Sequence, residues 1–207
     1  MTERVPAGLD RVLENRAFVF EPLAIIAILS LVTSWAIQPF VVQALAQQGT
    51  AAQTAAQAAL WISGVISPAT ALVKALGTAL VCWACAVFLN DRLSFIKMIS
   101  VFCIAEMVFS LRDVALVGVL VARGLGSVHS TADLMVGFGV NSFFHAKTSL
   151  ARIGLESWDA FTVVWALAGA WMIRACFKTD IRSTACLALM AFAVRTLFSA
   201  ASQLYRL

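Results

Sequence analysis

Charge is what this sequence has least of. Asp, Glu, Lys and Arg make up 13% of its 207 residues, while 61% are hydrophobic. Soluble domains run at about 25% charged and about 45–50% apolar, so a water-soluble globular class is excluded and an integral membrane protein is indicated. Other absences narrow the function. The opening, "MTERVPAGLDRVLENRAFVFEP", has no short apolar run followed by a small-residue cleavage site, so no signal peptide is expected. No H-E-x-x-H or G-x-S-x-G occurs, and Ser110, Ser127 and Ser142 lack a His or Asp partner at readable spacing. "GLG" at 124–126 and "GFG" at 137–139 follow no strand pattern, which removes a phosphate-loop reading and leaves turns or close-approach points. His129 and His145, with Asp133 between them, are too widely spaced for a zinc site. No catalytic, cofactor-binding or metal-ligating residues are therefore assigned, and the chain is expected not to be an enzyme.

The five cysteines, Cys82, Cys85, Cys103, Cys176 and Cys186, fall inside or at the ends of apolar stretches. That placement fits small helix residues rather than a disulfide framework. The C-x-x-C at Cys82 and Cys85 has no neighbouring strand and nothing in an apolar helix to stabilise a thiolate. The formal charge of +4 comes from basic residues flanking apolar runs, where the positive-inside rule explains them better than nucleic-acid binding.

What is present is a set of long apolar runs. Five are long enough to cross ~30 Å of hydrocarbon at about 1.5 Å per residue: 22–45, 69–89, 96–121, 159–177 and 183–203. The pattern predicts one all-α membrane domain over 1–207, a five-helix bundle with short interfacial amphipathic helices. Residues 1–20 read as a cytoplasmic surface helix with Leu9, Val12, Leu13 and Phe18 near one face. Pro39 is expected to kink or end the first span. The uncharged segment 46–68 reads as a separate helix lying at the interface, anchored by Trp61. "LNDRLS" at 89–94 makes spans two and three an antiparallel hairpin. The connection 122–158 reads as a loop and then an amphipathic piece, with Phe143 and Phe144 toward lipid. Trp83, Trp165 and Trp171 on spans, and Trp158 at an interface, fit core packing or interface belts.

Orientation follows from the basic residues. Arg4, Arg11, Arg16, Arg92, Lys97, Arg174, Lys178 and Arg182 fall on one side; Arg123, Lys147, Arg152 and Arg206 fall on the other. The expectation is a cytoplasmic N-terminus and, after five crossings, an external C-terminus.

Three stretches carry a family resemblance. "LENRAFVFEPLAIIAIL" is similar to a charged lead-in to a first span, and "ALGTALVCWACAVFLNDRLSFIKMISVFCIAE" to a hairpin with an aromatic-basic entry at Phe95 and Lys97. "SWDAFTVVWALAGA" is similar to an acidic-aromatic entry to a fourth span, with Asp159, Phe161, Trp165 and Gly169 in corresponding places. Together, over most of 8–203, the chain resembles the Yip family (Ypt/Rab-interacting-protein-like membrane proteins), its shorter bacterial branch in particular. The resemblance implies the fold and a membrane location. It carries over no contact with small GTPases, because only a short segment precedes span one, and it offers no catalytic residue.

One stretch breaks the apolar pattern. "FCIAEMVFSLRDVALVGVLVA", 102–122, sets Glu106, Arg112 and Asp113 in a membrane-like run. Each costs roughly 2.5–3.5 kcal/mol near a bilayer centre on insertion scales. Counted by helix rise from the cytoplasmic side, these three fall at ~17–27 Å, alongside Lys74, Asp159 and Arg195 from three other helices. Three basic and three acidic groups are thus expected to face the bundle interior as a polar layer in the outer half of the bilayer, with Asp113 and Arg195 as a testable pair. The alternative is separate snorkelling of Lys74, Arg112 and Arg195 to headgroups. The function that follows is a non-enzymatic scaffold or accessory subunit of a transport, trafficking or envelope assembly. Its partners would be membrane lipids and another membrane protein or a second copy, not nucleic acid. The rival function is a lipid- or small-solute-binding or transport protein that uses the polar layer.

Overall fold

The computed structural model describes residues 17–46, 48–89, 93–134 and 159–204. The expected surface helix over 1–20, apart from its last residues, and Phe143, Phe144, His145 and Trp158 lie outside these. The described chain is all-helical. Its long helices are α1 (Ala17–Ala44), α2 (Thr50–Phe88), α3 (Phe95–Arg123), α4 (Ala160–Phe177) and α5 (Ile181–Leu204), with 3-10 turns at Leu125–Ser127 and Thr131–Leu134. Four of them, α1 over Val19–Ala44, α2, α4 and α5 over Ile181–Phe198, are long and apolar enough to cross a membrane. At 29 residues α3 is long enough as well. It differs by charge, carrying Lys97, Glu106, Arg112, Asp113 and Arg123.

Two differences from the sequence reading concern proline. Segment 50–67 is not a separate interfacial helix but the first half of α2, which runs 39 residues straight through Pro68. It lies along α1: Ser30 Oγ donates to Ser67 Oγ at 2.8 Å, and Gly64 sits so close to α1 that an added Cβ would meet Ser34 Oγ at 2.9 Å. α1 likewise continues through Pro39 to Ala44. A proline removes one donor from the ladder and frees one carbonyl. In an apolar setting neighbouring helices and Ser/Thr hydroxyls can absorb that loss.

The main core lies between the second half of α2 and α3, α4 and α5. The side chains that α2 buries in it are small, Ala75, Ala79, Cys82 and Ala86, spaced three or four apart, with Leu72 and Cys85 packed at its edge. Hydrocarbon lipid is as apolar as leucine, so helices in it associate by close packing rather than by expulsion of water, and small residues allow that approach. Cys82 Sγ comes to 3.5 Å from the Leu187 carbonyl oxygen of α5. Into the space left by the small stripe, α3 and α4 insert Phe102 and Trp165, each 1% exposed and stacked at 5.8 Å. All five cysteines are free thiols. A second, smaller core joins Phe40 and Ala44 of α1 to Leu120 of α3 and to Val128.

Candidate functional site: an ionic cluster between four helices

On α3 a three-residue step places Glu106, Phe109 and Arg112 along one stripe, since positions three and four apart on a helix are neighbours. Glu106, 4% exposed, faces α5. There Arg195 donates through Nη1 to both carboxylate oxygens, at 2.8 and 2.9 Å. The same guanidinium lies 3.8 Å from the centre of the Phe109 ring and 5.7 Å from that of Trp165. The cation is therefore neutralised by a carboxylate and stacked on an aromatic face, which suits a planar guanidinium better than an ammonium. The buried indole N–H of Trp165 has no hydrogen bond of good geometry among the described residues.

The second pair ties α3 to α4. Asp159 is the N-cap of α4, its Oδ1 accepting from the Thr162 backbone N–H at 2.6 Å and the Thr162 hydroxyl at 2.7 Å. That satisfies one of the orphan donors of the first turn. Its other oxygen, Oδ2, accepts from Arg112 Nη1 at 3.3 Å. Arg112 Nη2 also lies 3.5 Å from Asp113 Oδ1, with the two side chains 39% and 47% exposed. Arg112 stands 5.5 Å from the Phe109 ring, so that ring carries a guanidinium at each end of its stripe.

The six residues singled out from sequence fall into three groups. Glu106 and Arg195 are buried and paired; Arg112 links Asp159, which is buried, to Asp113, which is not. Lys74 of α2 is half-buried, within electrostatic reach of Arg195, Glu106, Arg112 and Asp113, and has no ion pair within 4 Å among the described residues. Arg195 meets Glu106 rather than Asp113. Glu106 and Asp113 share a face of α3, but the neighbours of that face change along the helix, from α4 and α5 at Glu106 to α1 and α2 at Asp113. There Asp113 lines a cleft of about 150 Å³ with Thr33, Ser34, Ile37, Leu60, Leu116 and Val117. Phe109 and Thr162 escaped the sequence reading. The spacing E-x-x-F-x-x-R and the D-x-x-T at a helix start were the signals for them.

Elsewhere, Asp133 Oδ2 accepts from the backbone N–H groups of His129 and Ser130 at 2.9 and 2.8 Å and from the Ser130 hydroxyl at 3.0 Å. Those bonds hold its carboxyl below the usual carboxylate range and make the His129–Asp133 stretch a closed turn. Among the described residues no group of three or more His, Cys, Asp or Glu is placed to hold a metal ion. Chemically the cluster can neutralise and tie helices together; its carboxylates at 106 and 159 are already engaged. Compared with known proteins, the chain matches no family model, no curated protein and no solved structure.

Proposed function

We propose that this chain is a five-span integral membrane protein, Yip-like in layout, with a cytoplasmic N-terminus in a bacterial inner membrane. It acts without catalysis as a scaffold or accessory subunit of a membrane assembly. The fifth crossing is α3. Its central charges at Glu106 and Arg112 are met by α5 and α4, so charge is no bar to its crossing. One observation carries the functional reading: the Arg195–Glu106 pair is closed within the chain, at 2.8 Å and with side chains only 10% and 4% exposed. A closed pair locks helices and presents no reacting group. The outer faces, by contrast, are wide and apolar, with Val65, Leu167, Leu189 and Leu197 each 65% exposed or more.

Such a protein works through what it binds laterally. Purification in mild detergent, followed by light scattering and chemical cross-linking in native membranes, tests the reading. A second copy or a stoichiometric membrane partner is expected. A monomer with no cross-linked neighbour in the native membrane would overturn it. The cleft at Asp113 favours a second reading, small-solute or lipid binding, because it sets a half-exposed carboxylate and two hydroxyl residues among apolar walls. Native mass spectrometry separates the two: a small molecule retained by the wild type and lost in Asp113→Asn supports binding.

A further inference from the structure

Four of the five tryptophans among the described residues are exposed, at 66% for Trp35, 43% for Trp61, 38% for Trp83 and 67% for Trp171. They fall at two levels. Trp61 and Trp83 lie on α2, ~33 Å apart along its axis at about 1.5 Å per residue. Trp35 shares the level of Trp61, because α1 runs antiparallel to α2 with Ser30 on Ser67 and Ser34 against Gly64. Trp171 shares the level of Trp83, because Leu187 sits as far beyond the α4–α5 connection as Trp171 sits before it, and Leu187 meets Cys82. Trp165, the buried one, belongs to the core between these levels.

We propose that these two pairs are the headgroup-level belts of a phospholipid bilayer and fix where the hydrocarbon begins and ends on this chain. This rests on the membrane reading above and goes beyond it. Tryptophan gathers at both membrane interfaces, and the ~33 Å between the pairs matches a hydrocarbon core of ~30 Å crossed by a slightly tilted α2 and α3; α4, which starts at Asp159 ~18 Å above the Trp171 level, covers the lower half of it. The surface between the levels is apolar: Ile62, Val65, Val73 and Leu80 on α2 and Leu189 and Leu197 on α5 are all exposed. Outside the lower level stand Arg174, Lys178 and Arg182, which makes that side cytoplasmic.

Beyond the upper level lies the uncharged start of α2, with Thr50, Gln53, Thr54 and Gln57, so the length of a 39-residue helix is accounted for. The second core of Phe40, Ala44, Leu120 and Val128 sits there too, where a water-facing cap needs apolar burial of its own. The frame moves the ionic cluster from the outer half to mid-depth: Lys74 lies ~13 Å from the Trp83 level and ~20 Å from the Trp61 level. It also makes a demand on Glu21, an exposed charged residue that falls between the belts, ~12 Å from the lower one. Its side chain must reach toward the lower headgroups, because tilt of α1 from the Trp35 level would lift it further from them.

The test uses the full chain reconstituted in phosphatidylcholine vesicles. Single-tryptophan variants that keep Trp35, Trp61, Trp83 or Trp171, with Phe at the other five positions, are quenched by lipids nitroxide-labelled near the headgroup or near the acyl terminus. Each should be quenched more strongly by the shallow label, by at least about twofold. Val73→Trp in the same background should show the reverse order. A deep preference at any of the four, or a shallow one at position 73, overturns the placement. If the variants fail to fold, the wild type still decides: an impermeant amine reagent applied to both faces must modify Lys178 and spare Lys74. Modification of Lys74, or protection of Lys178, overturns it equally. Failure to float with vesicles would instead sink the membrane reading itself.

Discussion

Removing the charge of Glu106 should be among the most damaging single changes available in the described chain. Glu106→Gln leaves Arg195 buried, its guanidinium still over Phe109 at 3.8 Å but without a counterion. Stranding one member of a buried pair costs roughly 3–5 kcal/mol. Arg195→Met strands the carboxylate instead and also loses the ring stacking, worth ~2 kcal/mol when desolvated. For a chain of this length each kcal/mol corresponds to about 2–4 °C in Tm, so either single change should lower Tm in mild detergent by ~6–20 °C. The double variant removes both charges, leaves nothing stranded and should recover at least ~2 kcal/mol relative to the sum of the singles. Circular dichroism melts of the four proteins under one detergent condition complete the cycle. Two small effects that add to within ~0.5 kcal/mol would refute the claim that Glu106 and Arg195 act as a unit.

Three further outcomes follow from local geometry. Gly64→Ala should cost ~1–3 kcal/mol because its Cβ would meet Ser34 Oγ at 2.9 Å. Gly118→Ala, with nothing within 4 Å, should be neutral or stabilise by up to ~1 kcal/mol; equal melting shifts for the two would contradict the close α1–α2 approach. Lys178 ends α4 in the left-handed region at φ 54°, so Lys178→Gly should raise stability by about 1 kcal/mol, and a lowered Tm would count against that cap. Asp180 is held below the usual carboxylate range by the side-chain and backbone hydrogen bonds of Ser183. A depressed carboxylate contributes stability above its unfolded pKa and loses it as pH falls through the folded one. Asp180→Ala should therefore lower Tm at neutral pH, with the gap closing on acidification; a gap unchanged down to the acid side would remove Asp180 from the start of α5.

How much of this was legible in the sequence depends on the range of the interaction. Apolar runs long enough to cross hydrocarbon, and the polar "LNDRLS" between two of them, placed the helices because length and hydropathy are local quantities. The rarity of charge in such runs also singled out Glu106, Arg112, Asp113, Lys74, Asp159 and Arg195 without any coordinates.

Partnership could not be read in the same way. Helix rise gave heights, but azimuth and helix neighbours decide which cation meets which anion. Packing of α5 against α3 gave Arg195 to Glu106, while α1 and α2 left Asp113 in a half-open cleft. The uncharged segment misled for a related reason. Its local composition and Trp61 set 46–68 apart as an interfacial helix, whereas in the fold 50–88 is one helix with α1 alongside its first half. Composition thus determined by itself that this chain carries helices long and apolar enough to cross a membrane, and which residues do not belong in lipid. Only the tertiary structure decided how those residues neutralise one another, because a charge pair forms between side chains that share no sequence neighbourhood.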